Sequence, residues 1–552
     1  MTKNLRTSRC GVMVAGAVLA IGLTSWMAAC SDDSSGGRDA ALQDGTTNGD
    51  ANTGPDGGLD GTVSDGASND GGSDACPDPV SDDYCEATGG GVCWTIDPVN
   101  GDDQAAGTYD HPWKTFVNVN TSIYTQYRPA TWKGLNPGDV VYLKTGVYSA
   151  IYHPGDDGGA DGGGSYVLYL RGVDGTESDP ITVKGFPGAH PVIDPAGQGR
   201  GIHLLQSSYL RIEGIEVRNA YSRGVYVGEC DFVRLSRLLV HDTDGTVSAN
   251  VSGMEIAANH IDVSDSVFYD NYDRTAAQND TQTGNSCNVV LFGGGDVHIH
   301  DSIFYQTADR SSPFSGCGVK YKHASRQPDA HYEIDHCYFE NHKYFAIGVG
   351  TAHAHVHHNL INGAPVGIVS KDFGGPTHQY DQIFEFNTIY DAEGFFVSPT
   401  LDWVDHDNGP WPDVQDNRFS SNVVSSPMDS YTSDHRTVLL NSYMSDDLYL
   451  TLKDGIDFED NCYFNPLQAV SFGFAGADNY GPLGAYYSLS QWQATYSWDQ
   501  QSVEADPQFI DPAHLDFSLP ASSPCAQWGA LTDGNGVPLD KDMVFRCVDE
   551  SP

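Results

Sequence analysis

The sequence predicts an all-β fold, a parallel β-helix solenoid with an N-terminal cap preceded by a disordered linker, and three observations carry that reading. From about residue 200 one short phrase recurs: LRIEGIEV, VRLSRLLV, HIDVSDSVF, VHIHDSIF, YEIDHCYF, HVHHNLI, FEFNTIY, FSSNVV and DFEDNCY. Apolar residues alternate within it at period two, which argues for strands. Between the copies lies a second short strand opened by a small residue: GVYV, GMEI, NVVL, GVKY, AIGV, GIVS and GFFV. Finally, only 39% of the 552 residues are hydrophobic and 62 are Gly, a composition that suits stacked turns better than one large close-packed core.

Taken in chain order, residues 1–30 read as an export signal. Lys3, Arg6 and Arg9 precede an apolar run over 12–23, too short to span a bilayer comfortably. Met27-Ala28-Ala29-Cys30 resembles a bacterial lipobox, with Cys30 the residue to be acylated. Met27 stands where Leu is usual, so ordinary signal-peptide cleavage is the alternative. Ser31 after the cysteine resembles the outer-membrane sorting pattern. The expected location is therefore exported, as an outer-membrane lipoprotein or else secreted or periplasmic, with membrane contact only through the lipid. Residues 31–75 contain no aromatic residue and one basic residue, Arg38. They cannot bury enough apolar surface to offset their ordering entropy and read as a disordered, self-repelling tether. Residues 76–200 are assigned to the cap and first coils, 201–470 to the coils, and 471–552 to the last coils and C-terminal cap.

The repeat aligns Ile215, Leu238, Ser266, Ser302, Cys337, Asn359, Asn387, Asn422 and Asn461 at one position, with intervals from 22 to 39 residues. A fixed minimum with variable additions is what a solenoid shows when its corners accept loops. The four consecutive asparagines predict a stacked amide ladder inside one corner. Ten cysteines follow Cys30, and in an exported chain disulfides are permitted. Cys287 and Cys317 precede equivalent strand positions on adjacent turns, which brings their Cα atoms to about 5 Å and predicts a bond between them. Cys76, Cys85 and Cys93 at one end, and Cys525 and Cys547 at the other, suggest local staples.

Charge excludes one class of function. With 28 Lys plus Arg against 74 Asp plus Glu, the net charge of −46 repels phosphate backbones, so nucleic acid is not a partner. Against that background cations are informative. Strand alternation turns Val225/Val227, Met254/Ile256, Val319/Tyr321 and Ile347/Val349 inward and Tyr226, Glu255, Lys320 and Gly348 outward. Lys322, His323, Arg326 and Lys371 extend the outward set into a basic cluster suited to an anionic ligand. Neutralisation of nearby acids such as Asp372 is the bland alternative. Trp403 and Trp411, in the insertion LDWVDHDNGPWPD, are candidate sugar contacts because binding residues collect in long loops. The aromatics Trp113, Trp132, Tyr142, Tyr152 and Tyr169 fit a cap better. A second outward constellation holds His298 and His300, then Glu333 and Asp335, then His355 and His357, then Glu385. It reads first as a cross-strand ladder of hydrogen bonds and ion pairs, and second as a transition-metal site.

The stretches DPVNGDDQAAGTYDHPWKTF, LNPGDVVYLKTGVYS and DPITVKGFPGAHPVIDP, with VEADPQFIDPAHLDFSLPASSPCAQWGA near the end, resemble right-handed parallel β-helix proteins of the pectate-lyase-like superfamily. The similarity covers about residues 93 to 530. It implies a right-handed helix and an acidic-polysaccharide partner cleaved by β-elimination, in which a Lys or Arg removes the proton α to a uronate carboxylate. Lys322 or Lys320 would be that base, crowding of the two disfavouring a double charge, with His323 as runner-up or general acid. Lys371, Arg326, Tyr226, Trp403 and Trp411 would contact substrate. Calcium, where used, would fall to Glu255, Asp242, Asp244 and Asp273. The paired acids of polygalacturonase-type hydrolases are not recognisable. A non-catalytic carbohydrate-binding or adhesive surface protein is the alternative, since one scaffold hosts both.

Overall fold

The structure, a computed structural model, describes residues 84–121, 128–152, 165–245, 251–278, 285–308, 312, 314–322, 330–371, 373, 378–398, 413–426, 438–441, 455–475, 486–531 and 537–538. Its strands join almost without exception in parallel, each with the strand one turn away. Three sheets run the length of the coil. One full turn shows them in order: Cys317–Lys322 in the first, Tyr332–Asp335 in the second, Tyr338–Glu340 in the third, and then Phe345–Val349 back beside Cys317–Lys322. Parallel pairing already begins at Cys93–Ile96, which lies against Val140–Leu143. No helix among the described residues is long and apolar enough to cross a membrane.

The period-two pattern does what the sequence predicts. Val225, Val227, Met254, Ile256, Val319, Tyr321, Ile347 and Val349 all lie in the main core, each at most 1% exposed. Stacking continues along the axis inside: Phe268, Phe304 and Phe339 form one column with ring centroids 5.2 and 4.8 Å apart.

The corner between the second and third sheets explains the aligned column. Arg237, Asp265, Asp301, His336, His358, Phe386, Ser421 and Asp460 each sit at a left-handed φ between 48° and 57°. This bends the chain from the second sheet into the third in one residue, and the next residue turns into the interior. The asparagines there are fully buried and bonded side chain to side chain: Asn359 Nδ2 donates to Asn387 Oδ1 at 3.0 Å, Asn387 to Asn422 at 3.0 Å and Asn422 to Asn461 at 3.1 Å. Each Oδ1 also accepts the backbone N–H one turn back. Ser266 and Ser302 do the same with a hydroxyl, at 3.0 and 3.1 Å.

Cys287 and Cys317 are bonded across adjacent turns, with Cα atoms 4.3 Å apart, and Cys85 is bonded to Cys93. The C-terminal staple differs from the expectation: Cys525 pairs with Cys462, 63 residues away. The reason is the path of the tail. Residues 505–531 run back over the outer face of the third sheet, placing Phe517 and Ala530 against Tyr338 and Leu360, and Trp528 beside Val423. Cys30, Cys76 and Cys547 lie outside the described residues. Trp113 and Tyr142 are fully buried and stacked on Trp94 and Phe186 respectively, as a cap requires.

Candidate functional site

The outer face of the first sheet is the candidate site, and its residues follow from register. Tyr169, His203, Tyr226, Glu255, Val290, Lys320, Gly348 and Val369 form one row running up successive turns. Two residues further along the strands, Phe292 pairs with Lys322, and Lys371 ends the strand Leu360–Lys371.

Although they point off the sheet, Lys320, Lys322 and Lys371 are only 1%, 6% and 7% exposed. Lys320 Nζ donates to Asn285 Oδ1 at 2.5 Å and sits 4.6 Å from the centre of the Phe373 ring. Lys371 Nζ lies 5.9 Å from the same ring, and Lys322 Nζ 5.9 Å from that of Phe292. Phe345, Phe373, Val290, Val369 and the Cys287–Cys317 pair build an apolar wall around them. The wall closes because position 348 is glycine. A Cβ there would come within 2.6 Å of Phe345 and 2.9 Å of Phe373. Cations buried among apolar neighbours interact with an anion more strongly than cations in water do.

Toward the N-terminus the same face changes character. Tyr166, Tyr169, His203 and Tyr226 pack as a group, His203 at 4.4 to 4.8 Å from the three rings. Arg200 and Arg223 lie over Tyr166 and Tyr226 at 5.5 and 5.3 Å. Burial, with Arg200, Arg223 and Arg171 nearby, pushes His203 down to about 2, so its ring is neutral. Both His203 nitrogens are buried without a hydrogen-bond partner. Tyr226, a predicted contact residue, is half-buried in this platform. His203, Asn285, Phe292, Phe345 and Phe373 escaped the sequence reading. Only parity with Tyr226 could have flagged His203, and nothing in the spacing places Asn285 or Phe373.

Four predicted residues, His323, Arg326, Trp403 and Trp411, lie outside the described residues, as does Asp372. The four acids assigned to calcium are described, and each is engaged. Glu255 is paired with Arg223. Asp242 is bonded to Arg274 and to His241 Nδ1, which hold its carboxyl below the usual range. Asp244 accepts from Arg274 N at 2.8 Å. Asp273 caps Ala276 N at 2.7 Å, and burial raises its carboxyl. Among the described residues none of the four joins a group of three or more converging His, Cys, Asp or Glu donors.

The His and acid constellation occupies the second sheet. Its ladder bonds are present and run diagonally between turns: His298 Nε2 with Asp335 at 2.7 Å, His357 Nε2 with Glu333 at 2.9 Å, and His355 Nε2 with Glu385 at 3.1 Å. His300 is held between Asp262 and Asp301, whose hydrogen bonds push it up to about 10. The His298 and His336 rings bonded to Asp335 bring its carboxyl down to about 2 despite burial.

Residues 98–308 match the family described as Pel9A-like, right handed beta helix region, and the coil is a right-handed parallel β-helix. No curated protein matches the chain. Among solved structures it is similar to pectate lyase Pel9A at 16% identity and TM-score 0.39, covering 80% of this chain and 94% of that one. It is also similar to the PL6 family alginate lyase AlyGC at 13% and 0.33, covering 66% and 54%. A third likeness is to the GH136 lacto-N-biosidase from Eubacterium ramulus, at 13% and 0.38, covering 71% and 68%.

Proposed function

We propose that this protein binds an acidic polysaccharide on the outer face of its first sheet and cleaves it by β-elimination, with Lys320 as the base. The observation that carries the reading is the buried lysine cluster: three lysines of a chain with net charge −46 gathered on one face and each at most 7% exposed. Lys322 and Lys371 would pair with the uronate carboxylate, which acidifies the adjacent C–H. Lys320 stands in the row that continues through Val290, Glu255 and Tyr226, and a lysine amine in its neutral form can accept a proton. Nζ takes the proton α to the carboxylate; the electron pair left behind forms the carbon–carbon double bond as the bond to the glycosidic oxygen breaks. That oxygen leaves with a proton, for which His323 remains the candidate donor. Arg223 and Tyr226 offer charge and stacking to sugar units further along the face, and Trp403 and Trp411 belong to the same proposal.

Incubation with pectate, alginate and glycosaminoglycans, with and without calcium, followed by the absorbance of the unsaturated product, tests it. Product lost in Lys320→Ala is the expected result. Retarded migration in affinity gels with no product from any substrate would leave a carbohydrate-binding surface protein instead. Product that appears only with calcium would make the ion part of the reaction, and Glu255, Asp242, Asp244 and Asp273 the acids to substitute next. Export and lipid attachment at Cys30 form a separate part of the proposal, checked by mass spectrometry of the mature N-terminus: an unacylated terminus after any other residue would refute it.

A further inference from the structure

We propose that Glu333, His355 and His357, on the second sheet and away from the lysine cluster, form a binding site for a divalent transition-metal ion such as zinc. The site arises from register. Glu333 pairs with His355 on the next turn, and His357 lies two residues on, on the same outward face. The donor atoms converge: Glu333 Oε1 is 2.9 Å from His357 Nε2 and 3.9 Å from His355 Nδ1, and one atom from each of the three residues falls within 4.8 Å of the other two. Bonds of about 2.0–2.2 Å from imidazole and carboxylate put tetrahedral ligand atoms roughly 3.3 Å apart, so the present separations bracket what zinc needs and small rotations complete it.

The far nitrogens strengthen the case. A metal-bound imidazole usually engages its other nitrogen with a carboxylate or similar acceptor, which fixes the ring's tautomer and angle. His355 turns Nδ1 to Glu333 while its Nε2 bonds Glu385 at 3.1 Å, and Glu385 is itself anchored by Arg418 at 2.8 Å. His357 turns Nε2 to Glu333 while its Nδ1 faces His358 Nδ1 at 2.8 Å. A ladder built only of ion pairs needs no such division of labour between the two nitrogens of each ring. Glu333 is 43% exposed at its side chain and His355 37%, so an ion reaches the site from solvent and retains water in its fourth position.

The same motif, one carboxylate followed a turn later by His-x-His, occurs at Asp262, His298 and His300. It serves as an internal contrast. There Arg234 Nε already occupies Asp262 at 3.2 Å, and His300 is clamped between two carboxylates. Glu333 has only histidines as cationic neighbours among the described residues, His298 Nε2 of the turn before lying farther off at 3.9 Å; His298, Glu333 and Asp335 also converge, but there Asp335 is already bonded to both His298 and His336.

Calorimetric titration of the mature chain with zinc chloride, and with cobalt chloride as a spectroscopic probe, tests the assignment. Expected are a micromolar or tighter zinc site, one ion per chain at that affinity, and a visible cobalt spectrum of tetrahedral intensity. His357→Gln and Glu333→Gln should each weaken zinc by at least tenfold, and His300→Gln, in the Asp262 group, should not. Binding no tighter than millimolar in the wild type, or affinity unchanged in both His357→Gln and Glu333→Gln, would overturn it. The cobalt spectrum needs no variant, so a poorly folding substitution does not leave the question open.

Discussion

Lys320 and Lys322 are two residues apart on one strand, yet a base and a carboxylate partner do different work, and substitution separates the roles. Removal of a general base costs about 10²–10⁴ in turnover. Lys320→Ala should therefore depress kcat by that order with little change in KM, whereas Lys322→Ala, which removes a carboxylate partner, should raise KM more than it lowers kcat. Steady-state kinetics on whichever uronate polymer proves active decides it, and equal effects of both kinds would dissolve the distinction. A second residue-scale prediction concerns Asp499. It is fully buried and accepts hydrogen bonds from Asn461, Tyr463, Ser502 and Trp492. Burial outweighs those donors and raises its carboxyl to about 6. The folded state then holds a proton that the unfolded chain releases near the ordinary value of about 4, so the group's contribution to stability is present below pH 4 and is lost as pH rises through 6. The stability difference between wild type and Asp499→Asn should shift by up to about 3 kcal/mol across that window and stay flat above it. Denaturation midpoints at several pH values measure this, and a difference constant from pH 4 to 7 would contradict the raised carboxyl.

At the scale of elements, the corner ladder is the feature whose loss is most easily weighed. Asn387 donates to Asn422 Oδ1 and Val356 O and accepts from the backbone and side chain of Asn359. Asn387→Ala strands buried donors on the neighbouring turn and should cost about 3 kcal/mol, since each unsatisfied buried group costs roughly 1–3. Asn387→Ser should recover part of this, because Ser266 and Ser302 already accept the same backbone N–H elsewhere in the column. Thermal midpoints of the two variants test the order, and equal losses would show that the ladder contributes only through packing. This column was legible in the sequence because its residues face one way at a spacing the coil imposes, and strand parity likewise turned Lys320 outward. The left-handed residue before each ladder position was legible only in part: Asp265, Asp301, His336, His358 and Asp460 are of types that adopt this φ more readily, whereas at Arg237, Phe386 and Ser421 tertiary geometry overrides the ordinary reluctance. For the same reason the burial of the lysine cluster and the Cys462–Cys525 bond escaped sequence reading. Asn285 and Phe373 come from segments flanking the strands, and the tail's path depends on an apolar outer face of the third sheet that only the assembled coil presents.

For the whole molecule, the question is how a strongly acidic chain would approach an acidic polymer. Ten of the 74 acidic residues lie in the segment 31–75, so most of the −46 charge belongs to the coil and its loops. At a distance, polymer and protein repel; within the cluster the lysines lie against apolar neighbours. Salt acts differently on the two. The Debye length falls from about 30 Å at 0.01 M to about 10 Å at 0.1 M, which removes long-range repulsion while leaving partly desolvated contacts at a few ångströms much less affected. Association with a uronate polymer should therefore accelerate as salt rises over that range, with dissociation changing less, the reverse of ordinary steered binding. Stopped-flow or surface-based kinetics at several salt concentrations measures both rates. An association rate that falls steadily with salt would mean that the lysine face dominates the field even far from the surface, and that the acidic loops lie turned away from the approaching chain.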